Sequence, residues 1–121
     1  MAGSRSYRDL VVWKKSMDLA ESIYSCTRTF PREEMYGMIS QMRRAGASVP
    51  SNIAEGQARS NSGEFRQFLG IAGGSVAELE TWIMLCERLG YLDSERSEKL
   101  LTNCGEIQKL LAGFKSSLKS K

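Results

Sequence analysis

The sequence contains no histidine, which removes the side chain that most often serves as a general base or a zinc ligand. Its three cysteines, Cys26, Cys86 and Cys104, are odd in number, far apart and without a Cys-x-x-Cys pair. Because each lies among apolar residues of a predicted helix, we interpret them as small buried side chains. No apolar run approaches the ~20 residues needed to span a bilayer. We therefore expect no cofactor, no metal, no disulfide and no membrane segment.

Length and composition indicate one ordinary globular domain. The chain has 121 residues, of which 41% are hydrophobic and 26% charged, with a formal net charge of +3. We predict a single domain over residues 1–121, with an N-terminal arm over about 1–8 and a flexible basic tail over about 119–121. The first ten residues lack the apolar core of a secretory signal, so we expect a cytoplasmic protein.

Only two prolines occur and no stretch alternates like a strand, so the sequence reads as helical throughout. The first helix is predicted from about Asp9 to Thr27. The second begins at Pro31, which suits a first helical turn because its missing N–H would be unpaired there anyway. Pro50 should kink this helix without breaking it, because the small residues 46–48 let the chain bend. A restart of the helix near Pro50 is the alternative.

Two further helices complete the predicted fold. The turn-like stretch from Gly56 to Gly63 should contain the loop between helices two and three. Within it, Asn61 is predicted to cap the third helix, which Gly90 ends. Asp93 then caps the fourth helix. That helix carries a strict apolar seam formed by Leu100, Cys104, Ile107, Leu111, Phe114 and Leu118. Short connections favour antiparallel neighbours, so the fold class is all-α, an antiparallel up-and-down four-helix bundle with a proline-kinked second helix.

Helices one and three carry more apolar surface than the edge helix of a monomeric bundle needs. We predict the core stripe of helix one to be Leu10, Trp13, Met17, Ala20 and Tyr24, and that of helix three to run from Phe65 to Cys86. A second stripe on each helix predicts a subunit interface made of Val12, Leu19, Ile23, Ile71, Trp82, Leu85 and Leu89. Burying one such side chain stabilises a protein or complex by roughly 1.5–3 kcal/mol, so we expect these stripes to be buried by self-association. The alternative is that some of these residues cover loops or widen the core.

The second helix has two contrasting faces. Its apolar side comprises Met35, Met38, Met42, Ala45, Val49 and Ile53. Its polar side carries the residues Gln41, Arg44, Ser48, Asn52 and Glu55. This polar face has three interpretations: a solvated surface, a set of hydrogen bonds between subunits, or a ligand contact. We favour a structural role, because Asn and Ser beside Pro50 can satisfy carbonyls that the kink frees.

A basic surface is the remaining candidate site. The cations Lys14, Lys15, Arg43, Arg44, Arg59 and Arg66 could line a groove that contacts nucleic acid or a protein partner. Phosphate contacts from such residues would be independent of sequence and sensitive to salt. No RNA-binding motif with stacking aromatics accompanies them.

The sequence offers little for catalysis. Glu78 and Glu80 are too close in sequence to share a helix face, and no histidine is available as a base. The glycines at Gly70, Gly73 and Gly74 do not form a phosphate loop, because no strand precedes them and no Gly-Lys-Ser/Thr follows. We interpret them as a point of close helix–helix approach, and we predict a protein that is not an enzyme.

Three blocks of the sequence resemble a known family. They are LVVWKKSMDLAESIY, FPREEMYGMISQMRRAGASVPSNIAEG and EFRQFLGIAGGSVAELET, within a match from about Leu10 to Leu92. They resemble the bacterial four-helix-bundle proteins encoded in intervening sequences of large-subunit ribosomal RNA genes. The family's signature falls on Trp13, Pro31, Tyr36, Gln41, Arg44, Ser48, Pro50, Asn52, Ile53, Ala54, Glu55, Gly56, Gly74, Ser75, Glu78 and Glu80.

The resemblance implies an antiparallel bundle that assembles into a homopentameric ring. It also implies a distant relation to the accessory variability proteins of diversity-generating retroelements, basic pentamers that bind a reverse transcriptase and nucleic acid. We therefore expect an oligomeric scaffold that binds RNA, DNA or a nucleic-acid-handling partner such as a reverse transcriptase. The alternative is a ring-forming protein interaction module without nucleic-acid binding.

Overall fold

The computed structural model describes residues 6–119, without the side chain of Lys119. Four long helices make up the fold: α1 (Val11–Thr27), α2 (Ser40–Gln57), α3 (Ser62–Arg88) and α4 (Ser94–Lys119). Short 3-10 turns at Tyr7–Asp9 and Arg32–Glu34 precede α1 and α2, and a π-helical turn at Met35–Ile39 leads directly into α2.

Each helix packs against its neighbours in the chain, and α4 returns to α1. The predicted all-α four-helix bundle is confirmed. Parts of the predicted arm and tail, residues 1–5 and 120–121, lie outside the described residues.

The structure contains the hydrogen bonds predicted to begin α3 and α4. The side-chain oxygens of Asn61 and Asp93 each accept a backbone N–H at 2.8 Å, which caps α3 and α4. Gly90 has a φ of +82°, the left-handed conformation that ends a helix after α3. Ser6 caps the first 3-10 turn, and α1 begins at Val11, later than the predicted start near Asp9, because Leu10 is extended. The α2–α3 loop is also shorter than predicted, since α2 continues through Pro50 to Gln57.

The core face of α1 is the opposite of the one predicted. Val12, Leu19 and Ile23 are only 4%, 2% and 0% exposed within a single chain, so they belong to its own core and not to a subunit interface. Met17 and Tyr24, predicted to be core residues, are 45% and 43% exposed.

Two hydroxyl residues explain this error. Ser16 and Thr27 complete the buried stripe of α1, and each hydroxyl donates a 2.7 Å hydrogen bond to the carbonyl four residues earlier. A polar residue satisfied by its own helix can occupy a core position, so the buried stripe of α1 has fewer apolar residues than its length suggests and resembles a secondary stripe.

The core stripe of α3 is as predicted. Its residues Leu69, Ala72, Val76, Leu79, Ile83 and Cys86 are all 0% exposed. The seam of α4 faces them, with Leu100, Cys104, Ile107 and Leu111 buried. On α2 the apolar side is buried from Met38 onward, whereas Met35 is 41% exposed. The π-helical turn inserts an extra residue there. The α-helical spacing that places the apolar side of α2 in the core therefore does not extend back to Met35.

Among the glycines, Gly56 of α2 makes the tightest contact with a neighbouring helix, and the glycine cluster of α3 does not. A Cβ on Gly56 would lie 2.7 Å from Cβ of Phe68 and 2.9 Å from Cδ1 of Phe65. A Cβ on Gly74 would meet nothing within 4 Å, and on Gly73 only a side-chain oxygen at 3.4 Å. Within one chain, the interpretation of Gly74 as a contact between helices is therefore wrong.

Candidate interaction surface

The polar face of α2 borders α3 and bonds to it. The hydroxyls of Ser48 and Ser75 share a hydrogen bond of 2.6 Å between the two helices. The amide of Asn52 donates to the backbone carbonyl of Ser48 at 2.7 Å and to its hydroxyl at 3.0 Å. Three of the small polar groups are thus used within the chain. The structural role favoured for this face stays a prediction.

Arg44 links the same two helices at the surface. Its guanidinium donates to Oε2 of Glu78 at 3.0 Å and to Oε1 of Gln41 at 3.0 Å. The indole N–H of Trp82 donates to the same Glu78 oxygen at 3.3 Å, so one carboxylate orients both a cation and an aromatic ring. Glu55, further along α2, pairs with Arg59 at 3.2 Å.

An apolar stripe on α3 lies directly beside this polar network. We define the α3 stripe as Ile71, Trp82, Leu85 and Leu89, which are 11, 3 and 4 residues apart and so share one side of the helix. Ile71, Leu85 and Leu89 are 50%, 39% and 51% exposed, and Trp82 is half-buried. These four side chains are free to take part in the predicted subunit interface, unlike Val12, Leu19 and Ile23.

A second apolar area lies where the end of α1 meets the start of α2. A recess of about 400 Å³ is lined by Tyr24, Met35, Tyr36, Ile39, Ser40, Arg43 and Arg44. We call it the tyrosine recess. Tyr36 is 97% exposed, the most accessible of the exposed large apolar side chains in the described chain. Sequence reasoning reached Tyr36 only through the family signature, because one exposed tyrosine has no periodic signal.

The six predicted cations do not form a single basic groove. Lys15 pairs with Glu106 of α4 at 3.2 Å. Arg43 instead points at the end of α1, where Nε donates to Thr27 Oγ1 at 2.9 Å. With Arg44 bonded to α3, these three cations lie in three different seams between helices.

The other three predicted cations are also dispersed. Arg59 pairs with Glu55 and lies over the ring of Phe68, 4.8 Å from its centroid. Lys14 is exposed on α1. Arg66 lies in a recess of about 360 Å³ between α3 and α4, together with Gly63, Gln67, Gly70 and Lys115. Helical wheels assign each cation to one face of its own helix, but they do not show which seam it enters.

The recess that contains Arg66 is lined by two cations, Arg66 and Lys115. Nε of Arg66 is buried and has no hydrogen-bond partner. Lys115 Nζ would lie 3.7 Å from a Cβ on Gly70, so this glycine leaves room beside the ammonium group. Within the described chain, neither cation pairs with a carboxylate. Lys115 belongs to the basic end of α4, and in sequence such an end is indistinguishable from a solvated helix terminus.

A groove of about 530 Å³ between α1 and α4 contains Cys26 beside Arg96 and Lys99. Burial raises the pKa of the Cys26 thiol, which opposes formation of a nucleophilic thiolate. Among residues 6–119, no group of three or more histidine, cysteine or acidic side chains could hold a metal ion.

By length and composition alone, α3 is apolar enough to cross a membrane, with a mean hydropathy of 1.2 over its most apolar window. Its position explains this composition, because α3 packs between α2 and α4 and supplies the fully buried stripe of the bundle. Because α3 carries a buried stripe and a second, exposed apolar stripe, its composition passes a test designed for membrane-spanning helices.

The fold defines a class: a small all-α four-helix bundle, here with several large apolar side chains exposed on α3 and around Tyr36. The chain matches the model of the 23S rRNA-intervening sequence protein family over residues 8–113 and belongs to that family. A solved structure from Bacteroides thetaiotaomicron VPI-5482, a protein of unknown function from the S23 ribosomal protein family, is 30% identical in sequence. It aligns with a TM-score of 0.78 over 86% of this chain and 97% of its own. No curated protein matches the chain.

The resemblance to the ribosomal RNA intervening-sequence family is thereby confirmed. The relation to retroelement accessory proteins stays a prediction.

Proposed function

We propose that this protein is a non-enzymatic scaffold that assembles into a closed ring, of five subunits as the family resemblance implies, and presents basic surface to RNA or to a nucleic-acid-handling partner. The observation that carries the proposal is the α3 stripe. Three of its large apolar side chains are about 40–50% exposed in an isolated chain. At roughly 25 cal/mol per Å² of apolar area, such a stripe favours burial against another protein surface.

A ring needs two different complementary surfaces on each subunit, because its contacts are head to tail. The chain has two such surfaces. The α3 stripe is a row of aliphatic side chains with one indole, and the tyrosine recess is a concave area of about 400 Å³ beside an exposed Tyr36. We propose that the α3 stripe of one subunit enters the tyrosine recess of the next. The aromatic residues Tyr36 and Trp82 are of the types that dominate binding energy at interfaces.

A mixing experiment tests the head-to-tail arrangement. Leu85→Glu with Leu89→Glu disables the stripe, and Tyr36→Glu disables the recess, so each variant should be monomeric. When the two variants are mixed, the intact recess of the first can still bind the intact stripe of the second. Analytical ultracentrifugation should then detect a 1:1 dimer. If the Tyr36→Glu variant remains fully assembled alone, the stripe packs on something other than the recess.

The nucleic-acid part of the proposal rests on Arg66 and Lys115. Both lie in the same recess, and neither is neutralised by a carboxylate of the described chain. Arg43, Arg44 and Lys15 are less suitable, since their groups already bond to other helices. Ring symmetry would repeat the recess once per subunit, so weak phosphate contacts would add up along one RNA.

Fluorescence anisotropy with a structured RNA at two salt concentrations tests this contact. The expected result is binding that weakens steeply with salt. Lys115→Glu should weaken it across all sequences, and Lys115→Ala should lower the salt slope by about one. Lys14→Glu on α1 is the matched control. Absence of binding even at low salt removes the nucleic-acid role and leaves the alternative, a ring-forming protein interaction module.

A further inference from the structure

Three sulfur atoms converge in the core between α2 and α3. Cys86 Sγ lies 3.4 Å from Sδ of Met38 and 3.6 Å from Sδ of Met42. Met42 and Cys86 are 0% exposed, and Met38 is 6% exposed. Thiolate and thioether sulfurs are the ligand atoms that soft ions such as Cu(I) prefer. In helical bundles, metal sites are built in this way, from side chains on facing helices.

The start of α2 brings the two thioethers together. Met38 lies in the π-helical turn Met35–Ile39, and Met42 follows four residues later in the first turn of α2. Residues at this spacing lie one above the other on the same side of a helix. π-Helical turns are rare and recur at functional sites.

The distances fit one ion with small adjustments. A metal–thiolate bond is about 2.3 Å long, so trigonal coordination separates sulfur ligands by about 4.0 Å. The two observed distances from Cys86, 3.4 and 3.6 Å, would have to open by only a few tenths of an ångström. Methionine side chains have three rotatable bonds and adapt readily to such changes.

Charge selects the class of ion. A buried site is stable only when its charges cancel, because a net charge in the core is costly. One thiolate and two neutral thioethers carry a single negative charge, which a monovalent cation neutralises and a divalent cation does not. We propose that Met38, Met42 and Cys86 form a binding site for Cu(I), independent of the ring and of nucleic acid.

Binding is a ligand exchange with no change of oxidation state: the Cys86 S–H bond breaks, a Cu–S bond forms and the proton leaves to solvent. A cysteine thiol is mostly protonated at neutral pH. Each bound Cu(I) should therefore release one proton, which a weakly buffered titration measures.

Competition against the chromogenic chelator bicinchoninate, under argon with ascorbate, tests the site on the intact protein. We expect one Cu(I) per chain to leave the chelator. Cys86→Ser should weaken the affinity by more than the roughly 100-fold that losing an outer-shell partner can cost. Met42→Leu, which keeps the side-chain volume, should weaken it by a smaller factor. Circular dichroism at 222 nm verifies that both variants keep their helices.

Cys104→Ser is the matched control, because Cys104 is also buried but lies on α4 away from the methionine pair. It should bind Cu(I) like the unmodified protein. The proposal is overturned if the chelator keeps all the Cu(I), in which case the sulfurs only pack. It is equally overturned if Cys104→Ser loses as much affinity as Cys86→Ser, because the thiols then bind without a defined site.

Discussion

The guanidinium of Arg44 on α2 donates a 3.0 Å hydrogen bond to Oε2 of Glu78 on α3, and the pair stands between the polar face of α2 and the α3 stripe. In a single chain these two side chains are 59% and 38% exposed. An ion pair that accessible contributes only about 0.2–1 kcal/mol. Glu78 is also the acceptor for Trp82, so its surroundings change if a neighbouring subunit covers the stripe.

A double-mutant cycle on this pair therefore reports on assembly. We expect the coupling between Arg44→Met and Glu78→Gln to exceed about 1 kcal/mol in the assembled protein, where the neighbouring subunit excludes water. In the Leu85→Glu, Leu89→Glu background it should fall to the value of an exposed pair. Denaturant unfolding measures both cycles. Equal couplings in the two backgrounds would mean that no neighbour covers Glu78.

Gly56 should be intolerant of any side chain. Gly56→Ala places a methyl group 2.7 Å from Cβ of Phe68, an atom fixed to the backbone of α3, so the helices must separate. We expect the free energy of unfolding to fall by about 1–3 kcal/mol.

Gly113→Ala is the control for this substitution, because a Cβ on Gly113 would meet nothing within 4 Å. In the middle of α4 it should stabilise the protein by about 1 kcal/mol. A Gly56→Ala protein as stable as the unmodified one would show that α2 and α3 are further apart than the structure has them.

The sequence predicts a structural feature well where residues close in sequence determine it. Asn61, Asp93 and Gly90 mark helix ends through short-range hydrogen bonds and a left-handed φ, and all three were predicted correctly. The regular apolar period of α3 also identified its core.

The errors have a non-local cause. α1 has two apolar stripes of comparable strength, and only its packing against α2 and α4 decides which one is buried. Ser16 lies in that core but, as a polar residue, gives no apolar signal in the sequence. Its burial is possible because its hydroxyl donates a hydrogen bond within the helix. The seam that each cation enters likewise depends on how the helices are arranged. Arg43 reaches the hydroxyl of Thr27 only because the end of α1 lies beside α2.

Stability should fall in alkaline solution through the buried thiols. Burial raises the pKa of Cys86 and Cys104 from an ordinary value of 9.0 to about 12. Between these values the unfolded chain loses protons that the folded chain keeps, so the free energy of unfolding decreases as pH rises from about 9 to 12. Each thiol contributes up to about 1.4 kcal/mol per pH unit.

A Cys86→Ala, Cys104→Ala variant separates these thiols from the other groups that titrate in alkali, such as Tyr91. Unfolding followed at several pH values should give a shallower decrease for the variant than for the unmodified protein. The same slope in both proteins would contradict the burial of these thiols.

The mass in solution tests ring assembly through the α3 stripe most directly. Size-exclusion chromatography with multi-angle light scattering should give five times the 13.5 kDa of the chain for the unmodified protein, and a single-chain mass for Leu85→Glu, Leu89→Glu. Met84→Glu is the control: this side chain is similarly exposed, at 48%, but points about 100° away around α3 and should leave the ring intact. A single-chain mass for the unmodified protein, or an undisturbed ring in the stripe variant, would contradict the account.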